Sequence, residues 1–82
     1  MNTQKGTKEE RFLITTYYEL SKLNDLEAPL NREAIGRLNG LSPKVVQHVC
    51  NQLAHANFIK KKGVEEFFLT QNGIDLAKSL IP

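Results

Sequence analysis

His48, Cys50 and His55 are the residues whose types could first suggest a metal site, since imidazole and thiolate are the usual zinc ligands. Their spacing argues otherwise. If residues 43–56 form a helix, His48 and Cys50 stand about 200° apart around its axis, and no second cluster of ligands occurs in the chain. Cys50 instead shares an apolar stripe with Val46, Val49 and Leu53, which predicts an inert core thiol. No Gly-rich phosphate loop appears, and no paired carboxylates or Ser/His/Asp arrangement can be argued. The expectation is a protein without catalytic residues, metal or cofactor.

The other face of the same stretch holds Lys44, Val45, Gln47, His48, Asn51, Gln52 and His55, rich in hydrogen-bonding groups and poor in charge. A helix that is merely solvated more often shows Glu/Lys pairs at four-residue spacing. Asn and Gln side chains can bond adenine through two bonds, and lysine can reach guanine or a phosphate. A short run, Lys60, Lys61 and Lys62, follows the stretch directly.

These side chains must be positioned by the elements around them. Ile35 to Ile59 reads as a short helix ending at Asn39-Gly40, a tight turn through Leu41, and a second helix launched by Ser42-Pro43. Gly40 supplies a positive φ, Ser42 an N-cap oxygen, and Pro43 suits the first helical position. Upstream, Thr7 and Glu10 make a capping-box pattern that starts helix 1 near Lys8. Phe12, Leu13, Tyr17, Leu20 and Leu23 give that helix one apolar face, which Ile14 and Tyr18 widen; such a face either serves the core alone or leaves surface for a second subunit. Asn24-Asp25 ends it. Leu30 forms a short strand and Asn31 caps helix 2, Arg32 to Asn39, with Ile35 and Leu38 facing inward. Gly36 marks a close approach to the next helix, which runs from Pro43 to about Ala56 and stops at Asn57.

Phe58 to Lys61 and Val64 to Leu69 read as a hairpin turning near Lys62-Gly63. A two-residue turn would set Phe58 across from Phe67 and Lys60 across from Glu65. Thr70 caps a last helix, Gln71 to Leu80, with Ile74, Ala77, Leu80 and Ile81 as its apolar stripe, and Pro82 ends it. The fold class expected is α+β, mostly helical: a three-helix core, a two-stranded β wing and a C-terminal helix.

The 82 residues, 40% hydrophobic and 24% charged, suffice for one small domain over residues 7–82 behind a loose tail, 1–6. A net charge of +2 permits nucleic acid as a partner without requiring it. A lone cysteine, no apolar run long enough to span a bilayer and no recognisable leader point to a cytoplasmic protein.

Ile35-Gly36-Arg37-Leu38-Asn39-Gly40-Leu41-Ser42 resembles the second helix and turn of bacterial and archaeal winged helix-turn-helix transcriptional regulators. Val46, Val49, Leu53 and Ala56-Asn57-Phe58-Ile59-Lys60 resemble that superfamily's recognition helix and its exit. Phe67-x-Leu69-Thr70-Gln71-Asn72-Gly73 resembles the wing strand and following helix of multiple-antibiotic-resistance-regulator-like proteins. The likeness covers residues 30 to 80 and implies double-stranded DNA binding through helix 3 in the major groove, often as a homodimer. On that basis Lys44, Gln47, His48 and Asn51 would meet bases, and Ser42 with its helix N-terminus a phosphate. Lys60, Lys61 and Lys62 would meet the backbone or minor groove, and Arg32 or Arg37 a phosphate from helix 2. The chain departs from the pattern in having Glu65 and Glu66 in the wing, no arginine in the first turn of helix 3, and no long dimerisation helices.

Two alternatives stand beside this one. The polar face and lysines could simply keep the surface solvated. A winged helix can also be a protein-binding module, using helix 1 and Phe68 on the outer face of the wing.

Overall fold

Each helix starts on a side chain that accepts from one or two of its free N–H groups. The computed structural model describes residues 6–81. In α1 (Lys8–Lys22), Thr7 Oγ1 accepts from Glu10 N at 3.2 Å while Glu10 Oε1 accepts from Thr7 N at 2.9 Å, the reciprocal box expected. Asn31 Oδ1 accepts from Glu33 N and Ala34 N to start α2 (Arg32–Leu38). Ser42 starts α3 (Pro43–His55), and Thr70 starts α4 (Gln71–Leu80). The tail expected over residues 1–6 lies, but for Gly6, outside the described residues, as does Pro82.

Three helices end by one device. Asn24, Gly40 and Asn57 take φ of 57°, 68° and 66°, and the residue after each donates its N–H back into the last turn. Asp25 bonds Leu20 O, Leu41 bonds Gly36 O, and Phe58 bonds Leu53 O, at 2.9 to 3.2 Å. The turn between α2 and α3 is thereby fixed at both ends. A Cβ on Gly36 would collide with Val46 Cγ2, so the two helices cross with only a hydrogen between them.

The sheet has the order β1-β3-β2, all antiparallel, with β1 (Leu30–Asn31), β2 (Ile59–Lys62) and β3 (Glu66–Leu69). The fold is therefore α+β and mostly helical. Its core joins Phe12, Leu13 and Leu20 of α1 to Val46, Val49 and Leu53 of α3 and to Ile59, Phe67 and Leu69 of the sheet. Phe12 and Phe67 pack in a tilted pair with ring centroids 5.6 Å apart, and each is fully buried, worth about 1.5–3 kcal/mol apiece. Thr16 is buried among them, its hydroxyl donating to Phe12 O at 2.8 Å.

Three expectations are corrected. The hairpin turn has three residues, Gly63 to Glu65, and pairs Ile59 with Leu69, Lys60 with Phe68, Lys61 with Phe67 and Lys62 with Glu66. The expected register would have set Ile59 against Glu66; the observed one keeps Ile59, Phe67 and Leu69 on the core side together. Leu38 is 61% exposed, because the close packing at Gly36 turns the buried face of α2 toward Gly36, about 160° from Leu38 around the axis. Leu23, the C-cap of α1, is 59% exposed where the chain leaves the core. No described helix is long and apolar enough to cross a membrane.

Candidate functional site

The polar stripe of α3 forms because its apolar residues fall on the opposite side: Val46, Val49, Cys50 and Leu53 are buried, while Lys44, Gln47, His48, Asn51, Gln52 and His55 are exposed. At about 100° per residue, Lys44, His48, Asn51 and His55 lie within roughly 60° of one another. His55, on the polar face read from sequence, extends the stripe by a turn beyond the four residues expected to meet bases. Ser42 is occupied as N-cap, its Oγ 3.4 Å from Val45 N.

The hairpin carries its lysines on two faces. Lys61 stands opposite the buried Phe67, on the side of the sheet that meets α3, and its ammonium donates to Asn51 Oδ1. Lys60 and Lys62 stand on the outer face, opposite Phe68 and Glu66. Lys62 Nζ lies 3.2 Å from Glu66 Oε1, so part of its charge is balanced at home. The three lysines, adjacent in sequence, are thus not one patch.

The two arginines of α2 differ in the same way. Arg37 is exposed and has no acidic partner within ion-pair distance among the described residues. Arg32 is largely covered, with only 17% of its side chain exposed, and its Nε lies 3.4 Å from Glu33 Oε2, in ion-pair range but outside hydrogen-bond geometry. Its backbone N–H donates to Glu65 O at 2.8 Å, tying the first turn of α2 to the hairpin turn. Arg32 is the least accessible of the ten residues named from sequence.

Burial pushes the Cys50 thiol up to about 11, although the positive charges of Arg32 and Lys61 nearby act the other way. The thiol stays protonated and unreactive at neutral pH. Among the described residues, no three His, Cys, Asp or Glu side chains come together to hold a metal ion.

Sequence reasoning missed two contacts at this site, Lys61 with Asn51 and Lys62 with Glu66. Both follow from the register, and the signal for it was present in the spacing of Ile59, Phe67 and Leu69. Elsewhere, a groove of about 230 Å³ between α1 and α4 is lined by Glu10, Ile14, Ser79 and Leu80. Tyr18 is 48% exposed on α1. Phe68 points to the face of β3 opposite Phe67, whose ring packs on Phe12 of α1. Compared with protein-family models, curated proteins and solved structures, the chain finds no match.

Proposed function

We propose that this chain is a winged helix-turn-helix protein that binds double-stranded DNA, with α3 in the major groove and the β2–β3 hairpin as its wing. The observation that carries the reading is the outward stripe of α3, held rigidly on its buried side and joined at Asn51 to Lys61 of the hairpin. That stripe offers hydrogen-bonding groups suited to base edges. Lys44, Lys60, Lys61 and Arg37 flank or extend it without acidic partners within 4.0 Å among the described residues, and supply the phosphate-neutralising charge. A regulator of transcription is the role such a surface fits, and a second copy could pack along α1, where Tyr18 and the groove beside Ile14 remain open.

A protein-docking role is the second reading, favoured by Phe68, which is only partly covered on the outer face of β3. One titration separates the two. Backbone amides of labelled protein are followed as a random-sequence duplex is added at low and then moderate salt. Shifts concentrated in residues 42–52 and 60–63, shrinking as salt rises, support DNA binding. Absence of shifts at low salt, where the electrostatic contribution is largest, refutes it.

A further inference from the structure

An asparagine amide carries one acceptor and two donor hydrogens, and two-point recognition of adenine uses both kinds: the oxygen accepts from N6 while the NH₂ donates to N7. Asn51 does not have both equally free. Its Oδ1 accepts from the Lys61 ammonium, which reaches it from the core-facing side of the hairpin. One of the two lone pairs of that oxygen is taken, and a base donor approaching the other meets the positive charge beside it. What the pair presents most favourably to a ligand is therefore the Asn51 NH₂ and the remaining N–H groups of Lys61. Lys44, two turns earlier on the same stripe, adds only donors.

Resting on the DNA-binding reading above, we propose that the Asn51–Lys61 pair determines base specificity and selects guanine over adenine. Guanine offers two major-groove acceptors, O6 and N7, where adenine offers N7 beside a donor. Lys61 is here a positioning residue as well as a cation. It sets which end of the Asn51 amide faces the groove, and a lysine serving only as a phosphate contact would leave base preference untouched.

The test is selection of bound duplexes from a randomised pool by the full chain, by Asn51→Ala and by Lys61→Met, the last keeping most of the side-chain length without the charge. The position read by Asn51 is the one whose preference vanishes in Asn51→Ala. The wild-type chain is expected to favour guanine there about 5- to 100-fold, and Lys61→Met to shift the preference toward adenine. Replacing the guanines of the selected duplex one at a time by 7-deazaguanine, which lacks N7, should weaken wild-type binding several-fold at one position, a measurement that needs no variant to fold. Adenine selected by the wild type, or a guanine preference unchanged in Lys61→Met, overturns the proposal. Duplexes retained without any base preference overturn it while DNA binding stands. No duplex retained even at low salt overturns the DNA reading and this proposal with it.

Discussion

Gly36→Ala tests the helix crossing on which the whole surface depends. Alanine would gain about 1 kcal/mol of helix propensity at this position. Against that, its Cβ would overlap Val46 Cγ2 far inside the roughly 3.5–4.0 Å at which two carbons rest. Val46 is fully buried and β-branched, so it cannot swing aside, and the caps at both ends of α2 hold that helix in place. Overpacking of this kind costs about 1–3 kcal/mol, more where no neighbour yields, so a net loss of about 2 kcal/mol is expected. In a domain this small that lowers the thermal midpoint by roughly 10 °C. Urea titration followed by circular dichroism measures it. Val46→Ala, which on its own costs about 2 kcal/mol, should relieve the clash, leaving the double variant at least 1 kcal/mol more stable than the sum of the single losses. A Gly36→Ala protein as stable as the parent, or strictly additive losses, would refute the crossing described here.

Three other outcomes are expected. Asn57→Ala should cost about 1–2 kcal/mol in the same urea assay and Asn57→Gly nothing, because φ of 66° strains an ordinary L-residue. Glu66→Gln should free Lys62 and steepen the slope of log affinity against log salt by about 0.9 for duplex DNA; an unchanged slope means that Lys62 does not reach phosphate. The third concerns pH. Burial raises the Cys50 thiol from 9.0 to about 11, so below pH 9 both states keep the proton and stability is unaffected. Between pH 9 and 11 the unfolded chain ionises first and binds fewer protons, so stability falls as pH rises, by about 2–3 kcal/mol in all. Cys50→Ala should lack this loss, and parallel pH profiles for the two proteins would show that the thiol is not shielded.

The starts and stops of the helices were legible because each is written locally, in a capping oxygen or in an asparagine or glycine at positive φ. Thr7 with Glu10, Asn31, Ser42 and Thr70 all cap as expected, and Asn57 ends α3 as expected. The close approach at Gly36 was legible too, since a glycine inside a short helix needs a reason. What depended on contacts between distant segments was less so. Leu38 has an apolar side chain at a spacing that fits a buried face, yet the depth of the Gly36 crossing decides how α2 is rotated. Thr16 was passed over as polar, although its hydroxyl is satisfied by its own helix and it sits four residues from both Phe12 and Leu20. At the candidate site, helix spacing alone identified the outward stripe of α3. The division of the lysines between two faces was not identified, because a two-residue turn pairing Phe58 with Phe67 and Lys60 with Glu65 looks favourable in the sequence, whereas burial of Ile59 opposite Leu69 sets a three-residue turn in the fold.

The sheet has its middle strand made last. β3 lies between β1 and β2 in space but follows both in the chain, and neither neighbour can pair with the other across the gap it fills. During synthesis, therefore, α1, α2 and α3 emerge with Phe12 unopposed and two strands without partners, and closure waits for Phe67. Long-range pairing of this sort is slow to form and leaves apolar surface open in the meantime. A chain that stopped before Glu66 would lack both the strand that joins β1 to β2 and the ring that closes on Phe12.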